Sequence, residues 1–234
     1  MVRKLDNIAL KTTFEQVRKK LCIEEPEDIE FVFRLLEKAK EIAKPKVLYR
    51  EAFIEEISGD KVRINGYDFK SDVLAMSLKD IHRVFAYVCT CGTEVDDWSH
   101  SKKDSVVSIW LDIIKGMFLG EATAFLHNHI KDVYQFEKLS SVNPGSGNVE
   151  NWPISQQAQL FAMIGDVKKE IGVTLTDSYL MVPTKSVSGL LFPSNKGFSN
   201  CILCTRENCP NRGAEFDKEL YARTFNKYAH GNEI

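Results

Sequence analysis

The spacing of apolar residues predicts an amphipathic helix near the start of the chain. From Ile29 onwards, apolar side chains recur three and four positions apart, so they share one face of a helix. This stripe consists of Ile29, Val32, Phe33, Leu36, Ala39 and Ala43. The helix is expected to end at Lys44–Pro45, because proline lacks the N–H that a continuing helix requires.

A longer helix is predicted from about Asp104 to about His129, where the helical period is strongest. One face carries Val106, Trp110, Ile113, Met117 and Phe125, with Ile109, Ile114 and Phe118 beside it. Gly116 and Gly120 lie four positions apart on a common face. Because neither has a side chain, they predict a close contact between this helix and a sheet.

Runs of strand-favouring residues bounded by turn residues predict the sheet. Residues 47–57 and 62–69 flank the turn cluster 58–61, so an antiparallel hairpin is expected there. Further strands are predicted over 83–89, 173–183 and 187–192.

Glycine and proline divide the second half of the chain. A glycine-rich loop over 139–148 precedes Trp152–Pro153, where another helix is predicted to begin. That helix is expected to end at Gly172, and its apolar stripe consists of Leu160, Ile164, Val167 and Ile171. The C-terminal segment predicts a polar amphipathic helix.

Hairpin-linked strands with helices elsewhere in the order indicate an α+β fold, with a twisted, mainly antiparallel sheet flanked by helices. The strict strand–helix alternation of a doubly wound fold is absent from the sequence. Two units are expected: N-terminal helices and a hairpin in residues 1–80, packed on a main body in residues 81–234.

The charge balance gives no reason to expect a nucleic-acid or membrane partner, because 31 basic residues face 33 acidic ones. The most apolar stretch, 106–119, is too short to span a bilayer and is interrupted by Asp112 and Lys115. The charged start, residues 1–6, lacks the apolar core of a signal peptide. We therefore expect a cytoplasmic protein, whose six cysteines serve as thiols, metal ligands or redox groups.

The segment 201–210 is a candidate metal site. Cys201 and Cys204 are three apart, so their thiolates can hold one metal in a turn, and Cys209 can complete a three-point site. A fourth ligand could come from Cys89 or Cys91, although we interpret both as strand-end residues. An iron–sulfur cluster and a zinc ion are both open, and the alternative is three free thiols in a buried turn.

Two histidines on the long helix, His127 and His129, are two positions apart and therefore face different directions. They do not form the i, i+4 pair that a helical metal site needs. We expect solvent-facing or capping roles for both.

Several short motifs follow one another in the second half of the chain. The series runs through Asn143–Pro144–Gly145, Trp152, Gln156 or Gln157, Leu160–Phe161, 171–176, Ser178, Met181, Pro183 and 186–189. In this order the motifs resemble the S-adenosylmethionine-binding activation domain of cobalamin-dependent methionine synthase. Similarity is weaker upstream, over 91–96 and the long helix. The resemblance implies the fold of that domain.

The resemblance also implies a binding site for S-adenosylmethionine. In the family, the Pro-Gly loop and the strands around a Ser-Val-Ser-Gly segment form it. Here the corresponding residues are Asn143, Pro144, Gly145, Ser146, Ser188 and Gly189. The family places acidic residues on the long helix near the ligand's amino group, and Glu121 is either such a residue or a solvated carboxylate. Taken alone, the loop 139–148 is also consistent with a plain connection.

This chain departs from the family pattern in two places. The loop in the family has the pattern Arg-x-x-Pro-Gly-Tyr. In this chain, Ser141 stands at the arginine position and Ser146 at the tyrosine position. A serine hydroxyl cannot replace the donor fork of a guanidinium, so either another cation holds the ligand's carboxylate, or binding is weaker, or the ligand differs. A tyrosine-containing strand of the family is replaced by the cysteine-rich stretch.

The resemblance implies a role in reactivating a cobalamin enzyme. In the family, S-adenosylmethionine and one electron restore the methylated cofactor, and the domain works by positioning rather than through a catalytic residue of its own. The cobalamin would be carried by a partner chain, and the electron would come from a donor protein. The partner is a methionine synthase in this reading, or another corrinoid methyltransferase. A non-enzymatic metal-binding interaction module is the alternative from a different class.

Overall fold

The structure is a computed structural model that describes residues 1–147, 151–194, 198, 200–209 and 212–225. Its strands are β1 (Val2–Leu5), β2 (Lys46–Ser58), β3 (Lys61–Ile64), β4 (Tyr67–Lys70), β5 (Arg83–Thr90), β6 (Leu139–Val142), β7 (Thr174–Leu175), β8 (Met181–Val182) and β9 (Ser186–Pro193). Its α-helices are α1 (Phe14–Leu21), α2 (Pro26–Ile42), α3 (Asp72–Ser77), α4 (Thr93–His100), α5 (Ser105–Tyr134), α6 (Gln157–Ile164), α7 (Val167–Ile171) and α8 (Lys218–Phe225). Short 3₁₀ helices span Ile154–Gln156 and Asn200–Leu203.

One sheet organises the molecule. Its strands follow the order β4-β3-β2-β5-β9-β6, with β1 paired to the first half of β2. Every pairing in the sheet is antiparallel, which confirms the predicted α+β fold with a mainly antiparallel sheet. The central strand β5 is buried along seven of its eight residues. It is buried on both faces because helices cover both sides of the sheet.

Three apolar clusters fill the spaces around this sheet. On one face, side chains of β2, β5 and β9 pack against α3, α6 and α7. On the other face, alternate residues of the same strands pack against the C-terminal half of α5, through Ala122, Leu126 and Ile130. The N-terminal half of α5 packs with α1, α2 and α4 in a third cluster. The long helix therefore joins a helical layer to the sheet.

The sheet crosses the boundary that we expected at residue 80. Strand β2 pairs with β5 from Lys46↔Thr90 to Phe53↔Arg83. Both strands contribute to the same two apolar clusters. None of the helices in the described ranges combines the length and apolarity that a bilayer crossing requires.

Several strand predictions need correction. The second strand of the predicted hairpin reverses direction at Asn65–Gly66, where both residues have positive φ, and so divides into the antiparallel strands β3 and β4. The region 173–183 forms only a small β7–β8 hairpin, because a turn held by Thr176 interrupts it. The predicted loop 139–148 begins instead with the edge strand β6, which pairs with β9.

The buried faces of two helices also differ from the prediction. In α2, Phe33 is 49% exposed and Leu35 is buried in its place. In α5, Val106 and Phe125 are 53% and 38% exposed. The buried stripe of α5 instead consists of Leu111, Ile114, Lys115, Phe118, Ala122, Leu126 and Ile130. The stripe predicted after Trp152–Pro153 is correct and buried, although Gly165 divides that helix into α6 and α7.

Candidate functional site

An open groove of about 960 Å³ lies between helix α5 and the strands β5, β9 and β6. Its lining is a mixture of small, polar and apolar side chains from the helix and from the edge of the sheet. The lining residues are Tyr87, Gly116, Leu119, Gly120, Thr123, Ala124, His127, Asn128, Ser141, Asn143 and Val187. A volume of this size falls within the range of about 300–1,000 Å³ that is typical of small-molecule sites.

Small residues of α5 open this groove. A Cβ atom added at Gly116 would meet only the Lys185 side chain, at 4.0 Å, and one added at Gly120 would meet nothing within 4 Å. The two glycines therefore do not make the close helix–sheet contact that their spacing predicted. Together with Ala124 they leave space along one face of the helix, because none of them has a long side chain.

The polar floor of the groove is built around Asn143. Its Nδ2 donates to the Tyr87 hydroxyl at 2.8 Å and to the Ser188 carbonyl at 2.7 Å. Gly189 makes this arrangement possible, because a Cβ at that position would overlap the Asn143 amide and the Val142 carbonyl. The predicted residues Asn143, Ser188 and Gly189 therefore meet at one point, where β6 ends beside β9.

Tyr87 is a site residue that the sequence did not reveal. It is 2% exposed, and burial keeps the pKa of its phenol well above the usual value, so the hydroxyl stays protonated. The oxygen accepts the Asn143 amide hydrogen. Within the described residues no acceptor receives the hydroxyl hydrogen, and the side chain lines the groove. Tyr87 can therefore donate a hydrogen bond to a ligand there.

The Pro-Gly loop continues from this floor. Pro144 is buried, and Gly145 adopts a φ of +71°, which favours glycine. The Gly145 N–H donates to the Trp152 carbonyl at 2.8 Å. From the 3₁₀ helix at Asn200–Leu203, Asn200 Nδ2 donates to the carbonyls of Asn143 at 3.1 Å and Ser146 at 3.2 Å. The loop is thus fixed from both sides.

Ser188 supports the groove without facing it through its side chain. Its Oγ is buried on the opposite side of the sheet and donates to Gln157 Oε1 at 2.6 Å. Gln157 Nε2 in turn donates to the Tyr179 carbonyl at 2.5 Å. These bonds connect β9 to α6 and to the β7–β8 hairpin, so a Ser188 side chain would act on a ligand only indirectly.

Glu121 lies outside the groove and has partners of its own. Its carboxylate accepts the backbone N–H of Lys11, the N–H of Thr12 at 2.8 Å and the Thr12 hydroxyl. It lines a neighbouring depression next to the N-terminal segment. The geometry therefore uses Glu121 to hold residues 11 and 12 against α5.

The two histidines of α5 do face different directions. The ring of His129 forms a hydrogen bond with the Tyr49 hydroxyl at 2.9 Å. His127 is half-buried and lines the groove together with the β6 residue Ser141. We expected a solvent-facing or capping role, and the position of His127 beside the floor of the groove is a second feature that the sequence did not reveal.

The cysteine segment, residues 201–209, lies against the end of the Pro-Gly loop, where a Cβ added at Gly147 would be 3.6 Å from the Cβ of Cys204. The Arg212 guanidinium donates to the carbonyls of Cys201 at 3.3 Å and Cys204 at 3.2 Å, so it holds this turn together. Cys201 Sγ accepts the Gly213 N–H at 3.4 Å. In the parts of the chain that the structure describes, no three His, Cys, Asp or Glu side chains are placed to hold a metal ion. This arrangement therefore does not bring Cys201, Cys204 and Cys209 around one centre.

Cys89 and Cys91 are both fully buried. Cys89 lies within β5 and packs in the cluster below α5. Cys91 follows the strand and packs in the helical cluster. Burial raises the pKa of the Cys89 thiol, and together with the Asp96 carboxylate it raises that of Cys91 to about 12. Both thiols are therefore protonated packing residues in this fold.

The comparisons with known proteins agree with the fold and the motifs. A family model described as "Vitamin B12 dependent methionine synthase, activation domain" matches residues 68–204. A crystal structure described as the MetH reactivation domain bound to AdoHcy superposes with a TM-score of 0.61 at 14% sequence identity. That superposition covers 86% of this chain and 81% of the other. No curated protein sequence matches this chain. The family match spans more than half of the chain, which therefore belongs to the family of vitamin B12 dependent methionine synthase activation domains.

Proposed function

We propose that the chain binds S-adenosylmethionine in the groove between α5 and β5, β9 and β6, and supports the reductive methylation of a cobalamin that a partner chain carries. The single observation behind this proposal is the meeting of Asn143, Tyr87 and Gly189 at the Pro-Gly loop, beside an open groove. The structural neighbour, a reactivation domain bound to AdoHcy, supports the choice of an adenosyl ligand.

The groove fits such a ligand in shape and polarity. The groove is extended, because its lining runs along the sheet from Val187 in β9 to Ser141 in β6. Leu119, Ala124 and Val187 give apolar surface for an adenine or a thioether chain. Tyr87 offers a hydrogen-bond donor, while Thr123 and Asn128 supply further polar groups.

The protein would act by holding and orienting the methyl donor. Bound S-adenosylmethionine would supply a sulfonium methyl group to the partner's cobalamin, after a donor protein had provided one electron, and S-adenosylhomocysteine would be released. None of the groove residues needs to act as a base or a nucleophile. The rigid Asn143–Tyr87 floor and the Pro-Gly loop would fix the ligand, which is catalysis by positioning.

Two clients remain open for this function. A methionine synthase without an activation domain of its own is the first, and another corrinoid methyltransferase is the second. Ser141 and Ser146, which replace the family's arginine and tyrosine, are the reason for keeping the second client. Reconstitution with each corrinoid protein, an electron donor and labelled methyl donor would distinguish them. Label would enter the cobalamin of the true client alone.

A binding experiment tests the site itself. The full chain, purified without oxygen, is titrated calorimetrically with S-adenosylmethionine and with S-adenosylhomocysteine. Gly145→Ala should abolish binding, because a Cβ there would lie 3.0 Å from Ile154 and the backbone would leave its φ of +71°. Gly66→Ala is the matched control, since its φ is +79° and nothing lies within 4 Å.

Loss of binding in Gly145→Ala with normal binding in Gly66→Ala would support the proposal. Failure of the unaltered chain to bind either ligand at millimolar concentration, a free energy weaker than about −4 kcal/mol, would contradict it. The metal-binding interaction module would then be the better reading. Analysis of the same anaerobic sample for iron and zinc would test it, with Cys201→Ser, Cys204→Ser and Cys209→Ser as controls.

A further inference from the structure

We propose that His127, as an imidazolium, holds the carboxylate of the ligand's amino-acid end in the groove. The inference rests on the proposed function and names the group that replaces the arginine missing at Ser141. It also makes binding of the amino-acid part proton-coupled, whereas binding of the adenosine part is independent of pH.

The charge of the groove lining singles out His127. Among the described residues that line the groove, His127 is the only one whose side chain can carry a positive charge. A carboxylate that enters a partly buried site needs a cation or several donors to offset its lost hydration. Within the described residues His127 has no hydrogen-bond or ion-pair partner, so its ring is available for that role.

The position of His127 along the groove also matches that of the missing arginine. Helix α5 passes Lys185 at Gly116 and reaches Phe85 at Tyr134, where the ring centroids are 4.6 Å apart. Phe85 pairs with Leu191, and Leu191 pairs with Ser141. His127 is eleven residues after Gly116, about 17 Å along the helix axis. It therefore lies towards the end of the groove where Ser141 stands.

Lys185 is the competing cation, and its position is unfavourable. It precedes β9 and is six residues from Leu191, which corresponds to roughly 20 Å along the strand. Its ammonium group is already paired with Asp112, at 2.7 Å. Lys185 therefore lies beside Gly116, away from Ser141, and its charge is compensated by Asp112.

The electrostatics of the free protein set the sign of the pH dependence. Burial and the positive charge of Lys131, on the same helix, lower the pKa of His127. The β5 residues Tyr87 and Cys89 pack in the apolar cluster with α5. Both side chains stay neutral, because burial raises the pKa of both groups. A ligand carboxylate beside the ring would raise the pKa of His127. The complex therefore takes up a proton, and affinity falls as pH rises through the pKa of the complex.

The test compares two ligands across pH. S-Adenosylhomocysteine has the amino-acid end, and 5′-methylthioadenosine lacks it. We expect the Kd of S-adenosylhomocysteine to rise at least tenfold between pH 6 and pH 8, and that of methylthioadenosine to stay constant. His127→Gln should weaken S-adenosylhomocysteine binding at pH 6 about tenfold, or about 1.4 kcal/mol, and remove the pH dependence. Lys185→Gln is the matched control and should leave the affinity for S-adenosylhomocysteine and its pH dependence unchanged.

A rescue variant separates a direct contact from a structural effect. Ser141→Arg in the His127→Gln background should restore binding of S-adenosylhomocysteine without its pH dependence, because a guanidinium stays charged. Equal binding of the two ligands at all pH values would overturn the inference and leave the adenosine site standing. Loss of binding in Lys185→Gln instead of His127→Gln would also overturn it. If neither ligand binds, the proposed function fails, and the inference about His127 fails with it.

Discussion

A methyl group added at Gly189 should disrupt the floor of the groove. Gly189 lies in β9, opposite Tyr87, and its φ is not positive, so alanine can adopt its backbone conformation. The loss of stability comes from steric overlap alone. A Cβ at this position would overlap the carbonyl oxygen of Val142 in the neighbouring strand and the side-chain amide of Asn143.

The structure gives the magnitude of the Gly189→Ala effect. The Val142 carbonyl belongs to the backbone of β6, so no change of rotamer relieves that overlap, and overpacking of this kind costs about 1–3 kcal/mol. The Asn143 amide would also lose its bonds to the Tyr87 hydroxyl and the Ser188 carbonyl, each worth about 1 kcal/mol. The free energy of unfolding should therefore fall by about 3–5 kcal/mol.

Equilibrium unfolding in urea measures this change, and Asn143→Ala is the matched control. The control removes the same two hydrogen bonds without the overlap, so it should cost about 2 kcal/mol. Both variants should lose S-adenosylhomocysteine binding. A loss below about 1 kcal/mol in Gly189→Ala, with the ligand still bound, would refute the reasoning that Gly189 is required by the Asn143 amide.

Three further predictions concern helix α5. Gly116→Ala and Gly120→Ala should each stabilise the fold by about 0.5–1 kcal/mol, because glycine is unfavourable inside a helix. Both should weaken ligand binding, because the added methyl groups enter open space in the groove. Urea unfolding measures the stability and calorimetry measures the binding. Lys115→Met should lower the free energy of unfolding by about 3–5 kcal/mol, because it leaves the Asp96 carboxylate, the partner of Lys115 at 2.7 Å, buried and unpaired. A double variant that also carries Asp96→Leu should recover most of that loss. Glu121→Gln should accelerate amide hydrogen exchange in the N-terminal segment that the carboxylate holds, while the Kd for S-adenosylhomocysteine stays within about twofold.

Each of these predictions has a clear contrary result. Unchanged ligand affinity in both glycine variants would show that the ligand does not touch that face of α5. A small effect of Lys115→Met would show that the Asp96 carboxylate finds water or another partner. A large loss of ligand affinity in Glu121→Gln would return Glu121 to the binding site that the resemblance implied.

The features with a strong local pattern were predictable from the sequence. The β2–β3 hairpin, the strand β5 and the stripe on α6 and α7 follow from apolar periodicity and turn residues. The motif series from Asn143 to Gly189 predicts the floor residues Asn143 and Gly189, because backbone requirements there leave a trace in the sequence. Gly189 is an example, since only glycine fits beside the Asn143 amide.

The buried face of α5 was not predictable from periodicity. Apolar residues occur around most of this helix, so the stripe through Val106 and Phe125 matched the helical period as well as the truly buried one. Buried Lys115 weakened the correct pattern further. The function of Gly116 and Gly120 was equally ambiguous, because small residues serve both close packing and open grooves, and the distinction depends on what lies opposite.

The groove residues Tyr87 and His127 were missed for a related reason. Tyr87 belongs to a continuous apolar strand, where its hydroxyl gives no periodic signal. The spacing of His127 and His129 bears only on a helical metal site and carries no information about a groove. Both become site residues only because β5, β6 and α5 meet in space, and pairing between distant strands is not encoded in local spacing.

A crystal structure of the full chain with S-adenosylhomocysteine would show where the ligand binds. We expect the ligand in the groove between α5 and β9, with an acceptor atom near the Tyr87 hydroxyl and the carboxylate beside His127. Ligand bound at another surface, for instance in the depression between α3 and α8, with this groove left empty, would contradict it.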